Sequence, residues 1–189
     1  MRRRHRSARR RLSAGQQRRH AESMRRLFLA SPFAWRSRRI AAYLSVDGEV
    51  DLRPLLGSLQ GMGKLLALPV IERNNRMSFF SHRPEAPLTC NRFCIEEPAP
   101  GAPWINTRAL DLVLAPLVAF DDQGNRLGMG GGFYDRHFGG LPERLRPLLV
   151  GVAHEVQRAD ALPAAPWDVP LDGILTEAGW RTFSPRMGF

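Results

Sequence analysis

Six short apolar segments are the feature that most constrains how this chain folds. Each is the length of a buried β-strand, and turn-forming or helical segments separate them. The helical segment spans residues 51–59 and is preceded by Glu49. Short apolar strands that alternate with helices are typical of α/β proteins with a mainly parallel sheet buried on both faces, and such sheets bind ligands outside the carboxyl ends of their strands. The six segments are 39–44, 64–71, 77–81, 109–116, 147–153 and 171–176.

The N-terminal segment is predicted to form two helices. Residues 2–11 are a short basic helix, and Ser13 followed by Gln16 has the form of a capping box that begins a second helix. Apolar residues recur at helical spacing until Pro32 ends the pattern. We therefore expect residues 1–30 to form an N-terminal arm that packs on one domain spanning 1–189. The apolar positions are Leu12, Ala21, Met24, Leu27 and Phe28.

The positive charge of the chain is confined to that arm. Residues 1–39 hold fourteen arginines and one acidic residue, Glu22, a formal charge of +13 that leaves −3 for the remaining 150 residues. Such a segment binds nucleic acid, an anionic membrane surface or a polyphosphate ligand, or it simply solvates a helix surface. No apolar run is long enough to span a membrane, and no apolar region of a secretory signal follows the arginines. We expect a cytoplasmic protein.

The two cysteines and the proline-rich segment predict no site. Cys90 and Cys94 lack neighbouring ligands that would complete a zinc site, so we interpret them as ordinary thiols. The segment from Pro84 to Pro103 is interpreted as an irregular loop.

A glycine-rich segment is the strongest candidate for a ligand site. Gly128, Gly130, Gly131 and Gly132 follow an apolar strand and precede a predicted helix at Phe133–Phe138. Glycines let backbone N–H groups approach a ligand closely, and N–H groups at a helix start form a concave anion site that suits phosphate. The spacing matches neither the dinucleotide-binding motif nor the P-loop, and a plain loop or glycine-rich hairpin is the alternative.

Charged residues flank these glycines on both sides. Arg126 offers a bidentate group for phosphate oxygens, and Asp135 offers a carboxylate for Mg²⁺. Together with the glycines, they predict a nucleoside triphosphate as the ligand.

Four segments in order carry a resemblance to the 5-formyltetrahydrofolate cyclo-ligase family. The specific one is DLVLAPLVAFDDQGNRLGMGGGFYDR at residues 111–136. The others are YLSVDGEVD at 43–51, FCIEEP at 93–98 and WDVPLDGILT at 167–176. The resemblance implies a three-layer α/β/α sandwich and an enzyme that converts 5-formyltetrahydrofolate and ATP, with Mg²⁺, into 5,10-methenyltetrahydrofolate, ADP and phosphate.

The resemblance also implies roles for individual residues. Arg126, Tyr134 and Glu49 are the candidate catalytic residues. The folate is expected to contact Leu44, Glu49, Phe93 and Tyr134, and Mg²⁺ to contact Asp135 and Asp172. The ATP-binding residues are expected to be Arg2, Arg6, Arg126, Leu127, Gly128, Met129, Gly130, Gly131, Gly132, Phe133 and Tyr134.

The chain departs from the family pattern at two of these positions. Many members carry arginine at the position of Met129 and tyrosine at that of Phe133. With methionine at this position, either Arg126 or the arm compensates the charge of the phosphates, or the methionine marks lowered activity.

Three other functions stay open on sequence alone. They are sugar-phosphate isomerisation, CoA transfer on a similar sheet, and nucleic-acid binding through the arm, which leaves the glycine segment unexplained. We expect a monomer that binds a reduced folate and neither a membrane nor nucleic acid. A further hypothesis is that Arg9, Arg10 and Arg11 attract the anionic tail of a polyglutamylated folate.

Overall fold

The computed structural model describes residues 1–72, 75–83 and 85–188. The described part contains five α-helices and twelve β-strands. The helices are α1 (Arg2–Arg10), α2 (Ala14–Leu29), α3 (Pro32–Arg36), α4 (Arg53–Gly61) and α5 (Phe133–Phe138). The strands are β1 (Arg39–Ala41), β2 (Leu65–Ile71), β3 (Met77–His82), β4 (Leu88–Cys90), β5 (Glu96–Pro98), β6 (Trp104–Ile105), β7 (Leu112–Pro116), β8 (Ala119–Phe120), β9 (Arg126–Leu127), β10 (Leu148–Val152), β11 (Gly173–Thr176) and β12 (Gly179–Thr182).

Eight of these strands form one mixed sheet, which confirms the predicted α/β class. Their order is β12-β11-β10-β7-β1-β2-β3-β6. The five central strands, β11 to β2 in that order, are parallel. At one edge β12 pairs antiparallel with β11, and at the other edge β3 pairs antiparallel with β2 and with β6. The chain moves from β1 to β2 in one direction and later adds β7 on the other side of β1. The strand order therefore reverses between β1 and β7, and their carboxyl ends form the crevice where such sheets bind ligands.

Helices or loops cover both faces of the sheet. Alternate residues of β7 point to opposite faces: Leu112 and Leu114 join one core, and Val113 and Ala115 join the other. The first core includes the buried faces of α2, α3 and α4, and the second includes Phe138 of α5. This arrangement confirms the three layers. It also explains why the central strands are continuous apolar runs, since both faces of a parallel sheet are buried.

The two N-terminal helices form where the sequence predicts them. Ser13 caps α2, with its side chain accepting from the Gln16 N–H while the Gln16 side chain accepts from the Ser13 N–H. Ala21, Met24 and Phe28 form the buried face of α2. In α1, by contrast, the buried residues are His5 and Arg9, both polar.

The interpretation of residues 84–103 as an irregular loop is wrong in part. Pro84 lies outside the described residues, but β4 and β5 pair as an antiparallel hairpin within this segment. A second hairpin, β8 with β9, stands between β7 and the glycine segment. Strands of two or three residues contain too little alternation to be recognised from sequence. Among the described helices, none combines the length and the apolar character that a membrane span needs.

Two glycines provide a matched test of the packing. A Cβ at Gly173 in β11 would lie 2.8 Å from the Arg181 carbonyl oxygen on the neighbouring strand, whereas a Cβ at Gly57 in α4 meets no atom within 4 Å. Gly173→Ala is expected to lower the free energy of unfolding by about 1–3 kcal/mol, because the strand backbone has to shift. Gly57→Ala is expected to raise it by up to about 1 kcal/mol. Urea denaturation of both variants measures the difference, and equal effects would contradict this packing.

Candidate active site

A cavity of about 1110 Å³ lies at the carboxyl ends of the central strands. The segment that follows β1 contributes Tyr43, Leu44 and Glu49. The end of β7 contributes Pro116, and Leu117 follows it. The glycine segment forms another wall, and the β4–β5 hairpin adds Phe93. Binding cavities for drug-sized ligands measure about 300–1,000 Å³, so this one has room for a large ligand or for two ligands side by side.

Glu49 is a buried carboxyl group at the end of the segment that follows β1. Its Oε2 accepts a hydrogen bond of 3.1 Å from the Val46 N–H, and its Oε1 lies 3.5 Å from a guanidinium nitrogen of Arg9. Burial raises the pKa of Glu49 to about 7, and the positive charge of Arg9 offsets that rise only in part. Glu49 can therefore change its charge near neutral pH.

Arg9 is fully buried and connects the N-terminal arm to the floor of the cavity. Its guanidinium donates to the backbone oxygens of Asp47 and Leu117 and to the Asp47 carboxylate, each at 2.9 Å. Asp47 follows β1 and Leu117 follows β7, so one side chain joins both strand ends. Gly48, between Asp47 and Glu49, has φ +76°, a left-handed conformation that favours glycine.

Three arginines on one face of α1 form ion pairs with Asp47. Arg6 pairs with it at 2.8 Å, and Arg9 and Arg10 pair with it as well. Burial alone would raise the pKa of Asp47, but hydrogen bonds from these arginines outweigh burial and lower it to about 2. Sequence reasoning assigned no role to Asp47. The spacing of arginines at 6, 9 and 10, which share a helix face, was the available indication.

The glycine segment begins at the β8–β9 hairpin, which a single buried carboxylate organises. Asp121 accepts hydrogen bonds from the backbone N–H groups of Gln123, Asn125 and Leu162. Beyond β9, Gly132 has φ +60°, a left-handed conformation that turns the chain into α5. A Cβ at Gly128 or Gly130 would meet no atom within 4 Å, so the backbone there stands open.

Arg126 and Asp135 lie at opposite ends of this segment and pair with each other. Their closest nitrogen–oxygen distance is 2.7 Å, and Asp135 also accepts from the Val169 N–H at 3.1 Å. The Nε of Arg126 is buried and has no hydrogen-bond partner within the described ranges. One guanidinium N–H of Arg126 is therefore an unsatisfied buried donor in this structure.

Aromatic side chains line the remaining walls. The Arg126 guanidinium lies 5.9 Å from the ring centroid of Tyr134, and burial, followed by the charge of Glu49, raises the pKa of the Tyr134 hydroxyl. Phe93 and Phe133 meet edge to face at 6.1 Å. Met129 and Phe93 are about half exposed, so both stand at the mouth of the cavity.

The cavity brings together most of the residues that the sequence predicts for it. Four predicted residues do not line it. Arg2 donates to the Gly128 carbonyl oxygen at 2.9 Å from outside, and Leu127 and Gly130 belong to the same segment without facing the cavity. Asp172 is the fourth. Lining residues that the sequence reasoning did not propose include Tyr43, Asp47, Asn91, Leu117 and Arg136.

Asp172 has a different set of partners from Asp135. It is buried at the start of β11, accepts from the Leu149 N–H at 2.8 Å, and pairs with Arg186 at 3.2 Å and Arg146 at 3.7 Å. These contacts engage both of its oxygens at the amino-terminal edge of the parallel strands. Metal binding by Asp172 stays a prediction, whereas Asp135 faces the cavity.

The exposure of the arm arginines removes Arg9 from the hypothesis of tail attraction and leaves the exposed Arg11 as a candidate. Arg9 is fully buried, so it cannot attract the tail of a folate from solvent. Arg10, also named in that hypothesis, is half exposed but pairs with Asp47.

Comparison with known proteins gives a single family. The sequence model described as the 5-formyltetrahydrofolate cyclo-ligase family matches residues 1–177. The 5-formyltetrahydrofolate cyclo-ligase of Escherichia coli (strain K12) is 36% identical over 174 residues, covering 90% of this chain and 95% of the relative. The enzyme of the same name from Haemophilus influenzae is 39% identical over 142 residues, covering 74% and 75%. The structure of Aquifex aeolicus 5,10-methenyltetrahydrofolate synthetase superposes with a TM-score of 0.83 at 36% identity, covering 96% of this chain and 90% of that one.

Arg9 and Arg10 provide a matched test of how the arm is held, because both pair with Asp47. Arg9→Met is expected to lower the free energy of unfolding by about 3–5 kcal/mol, since it removes one partner of a buried ion pair. Arg10→Met removes a pair that is half exposed to water and is expected to cost less than about 1 kcal/mol. Chemical denaturation measures both values. A small cost for Arg9→Met would show that the Arg9 contacts do not hold the arm in place.

Proposed function

The chain belongs to the 5-formyltetrahydrofolate cyclo-ligase family, and from this membership we propose that it catalyses the ATP- and Mg²⁺-dependent conversion of 5-formyltetrahydrofolate to 5,10-methenyltetrahydrofolate. ADP and phosphate are the other products. Isomerisation of sugar phosphates and CoA transfer, the alternatives for an α/β sheet, have no support from the relatives.

One observation carries the proposal: a single cavity contains groups suited to both substrates. Glu49 stands on one wall as a carboxylate that accepts hydrogen bonds from the N–H groups of a pterin. Arg126, Arg6 and the open backbone of the glycine segment stand on another wall, where they suit phosphate oxygens. Leu44, Phe93 and Tyr134 provide apolar surface for the folate rings. Both substrates can therefore meet in this cavity.

The chemistry consists of two displacements. The formyl oxygen attacks the γ-phosphorus of ATP, so that a P–O bond forms there and the bond to ADP breaks. N10 of the folate then attacks the activated formyl carbon, its proton leaves, and the C–O bond breaks with release of phosphate. The protein contributes mainly position and charge stabilisation. Arg126 offers positive charge for the transferring phosphoryl group, Tyr134 a hydroxyl beside the formyl group, and Glu49 holds the pterin.

The residues in the cavity fit a magnesium–nucleotide complex. The terminal guanidinium nitrogens of Arg126 pair with the Asp135 carboxylate in this structure, and its Nε has no partner among the described residues. Phosphate oxygens are better partners for the guanidinium, and Mg²⁺ prefers carboxylate oxygens. When bound, Mg²⁺ would neutralise charge that develops on the phosphate oxygens. Asp135 is the residue we propose to hold it. A cytoplasmic location and a monomeric state remain predictions, and attraction of a polyglutamate tail by the arm remains a hypothesis.

The first experiment is a spectrophotometric assay. Purified protein, 5-formyltetrahydrofolate, Mg²⁺ and ATP are expected to produce the near-ultraviolet absorption of the conjugated methenyl product, and no rise is expected without ATP. Asp135→Asn is expected to increase the Mg²⁺ concentration for half-maximal rate by at least about tenfold, or to abolish turnover, while circular dichroism shows that the fold is retained. Asp160→Asn, at an exposed carboxylate outside the cavity, is the control and is expected to behave as wild type.

Two results would contradict these assignments. Absence of product from folded protein that binds ATP would exclude the reaction and direct attention to Met129. Full activity of Asp135→Asn at limiting Mg²⁺ would exclude Asp135 as the metal ligand.

Glu49 predicts a pH dependence of folate binding. A pKa of about 7 means that the carboxyl group is mostly protonated at pH 6 and mostly ionised at pH 8. Because the ionised form accepts hydrogen bonds from the pterin, affinity for 5-formyltetrahydrofolate is expected to rise about tenfold from pH 6 to pH 8. Fluorescence titration of the protein with 5-formyltetrahydrofolate in the absence of ATP measures this affinity.

The Glu49→Gln variant separates titration of the protein from that of the ligand. This variant is expected to bind more weakly at pH 8 and to lose the tenfold rise, since its side chain does not titrate. The same rise in wild type and variant would assign the pH dependence to another group.

A further inference from the structure

Three metal-binding side chains converge outside the cavity. His20 lies on α2, His154 lies two residues after the end of β10, and Glu177 lies in the turn between β11 and β12. Their ligand atoms all lie within 4.8 Å of one another. Among the described residues, no other group of three or more histidine, cysteine, aspartate or glutamate side chains meets this distance.

The distances resemble those between ligands of a tetrahedral metal ion. The Nδ1 atoms of His20 and His154 are 2.9 Å apart, and Nδ1 of His20 is 3.2 Å from Oε1 of Glu177. Zinc bonds of about 2.0–2.1 Å to nitrogen and oxygen place neighbouring ligand atoms about 3.3 Å apart in tetrahedral geometry. Two histidines and one glutamate, with a water as the fourth ligand, form a known zinc-binding set.

His154 presents its Nδ1 atom to the other two side chains. The side chain is fully buried, and its Nε2 atom has no hydrogen-bond partner among the described residues. In the tautomer that carries its proton on Nε2, the Nδ1 atom, which lies 2.9 Å from Nδ1 of His20, has a lone pair and can act as a ligand.

Surrounding contacts orient Glu177 and leave one approach open. Its Oε2 accepts from the Glu155 N–H at 3.0 Å, which leaves Oε1 directed at His20. Ser23 of α2 donates to the Glu177 carbonyl oxygen. A shallow groove beside His20 is lined by Arg18, Arg19 and Arg26 among others, and it admits water to complete the coordination. Positive charges in this groove reduce affinity for a cation, so the site would bind more weakly than a closed site of four protein ligands.

We propose that His20, His154 and Glu177 form a binding site for a divalent transition-metal ion, with Zn²⁺ the best match. The ion would connect α2 to the ends of β10 and β11. Helix α1 directly precedes α2 and carries the arginines that bind Asp47 beside Glu49. Metal at this position would therefore stabilise the docked arm without touching either substrate.

The alternative is a polar contact without metal. In that case one proton lies between the two Nδ1 atoms, and Nδ1 of His154 also caps the short 3₁₀ turn at Glu155–Gln157 by accepting from the Gln157 N–H. A metal ion would replace both contacts. Binding of the metal itself separates the two cases.

The test uses full-length protein without a histidine tag, treated with a chelator and then dialysed. Titration with Zn²⁺ against a chromophoric chelator is expected to give one site per chain and a higher melting temperature. Co²⁺ is expected to give the intense visible bands of four-coordinate cobalt. His20→Asn and Glu177→Gln are each expected to weaken binding by at least about tenfold and to lose these bands. Glu143→Gln, at an exposed glutamate elsewhere, is the control and is expected to leave them unchanged.

Three results would overturn the proposal. They are the absence of stoichiometric Zn²⁺ binding, the weak bands of six-coordinate cobalt, and equal affinity in wild type and both variants. Glu177 is partly exposed, so Glu177→Gln keeps the test decisive even where His20→Asn unfolds.

Discussion

The buried guanidinium of Arg9 is the contact on which the candidate active site depends. A buried arginine is costly unless its N–H groups are bonded, so its position is set by the acceptors that surround it. Those acceptors belong to Asp47 and Leu117, which follow the two strands between which the order of the sheet reverses. The sheet alone creates a crevice at that point. Arg9 fixes the distance between the two walls of the crevice and puts a positive charge 3.5 Å from Glu49.

This contact also gives the basic arm a structural role. From composition, a charge of +13 in 39 residues suggests an electrostatic surface for a polyanion. In the folded protein, Asp47 binds three arginines of one helix face, and Arg2 reaches the carbonyl oxygen of Gly128. That face of the arm acts as a structural wall of the cavity. The remaining arginines are mostly exposed, where isolated charges contribute little to stability.

Patterns among residues close in sequence predicted the helices and strands, whereas contacts between residues distant in sequence form the candidate site. The long apolar strands, the capping box at Ser13 and the short helix at 133–138 were all predictable, because each depends on neighbours in sequence. The β4–β5 and β8–β9 hairpins were not, since they have only two or three residues per strand. The bond between Arg9 and Asp47 joins residues 38 positions apart, and helical spacing indicated only which arginines share a face. The glycine segment was ambiguous by composition, and its predicted role in ATP binding rests on the resemblance of the ordered motifs to the family.

The pairing of Arg126 with Asp135 has a consequence for how the proposed substrates bind. If phosphate bound to Arg126 without a metal, the Asp135 carboxylate would lie unpaired beside an anion. If a metal bound to Asp135 without phosphate, the Arg126 guanidinium would lie unpaired beside a cation. Both outcomes place like charges close together at low dielectric, where repulsion is strong. Binding of the metal and the triphosphate together gives each side chain an oppositely charged partner. The electrostatics of this one ion pair therefore favour binding of the magnesium–nucleotide complex over binding of either component alone.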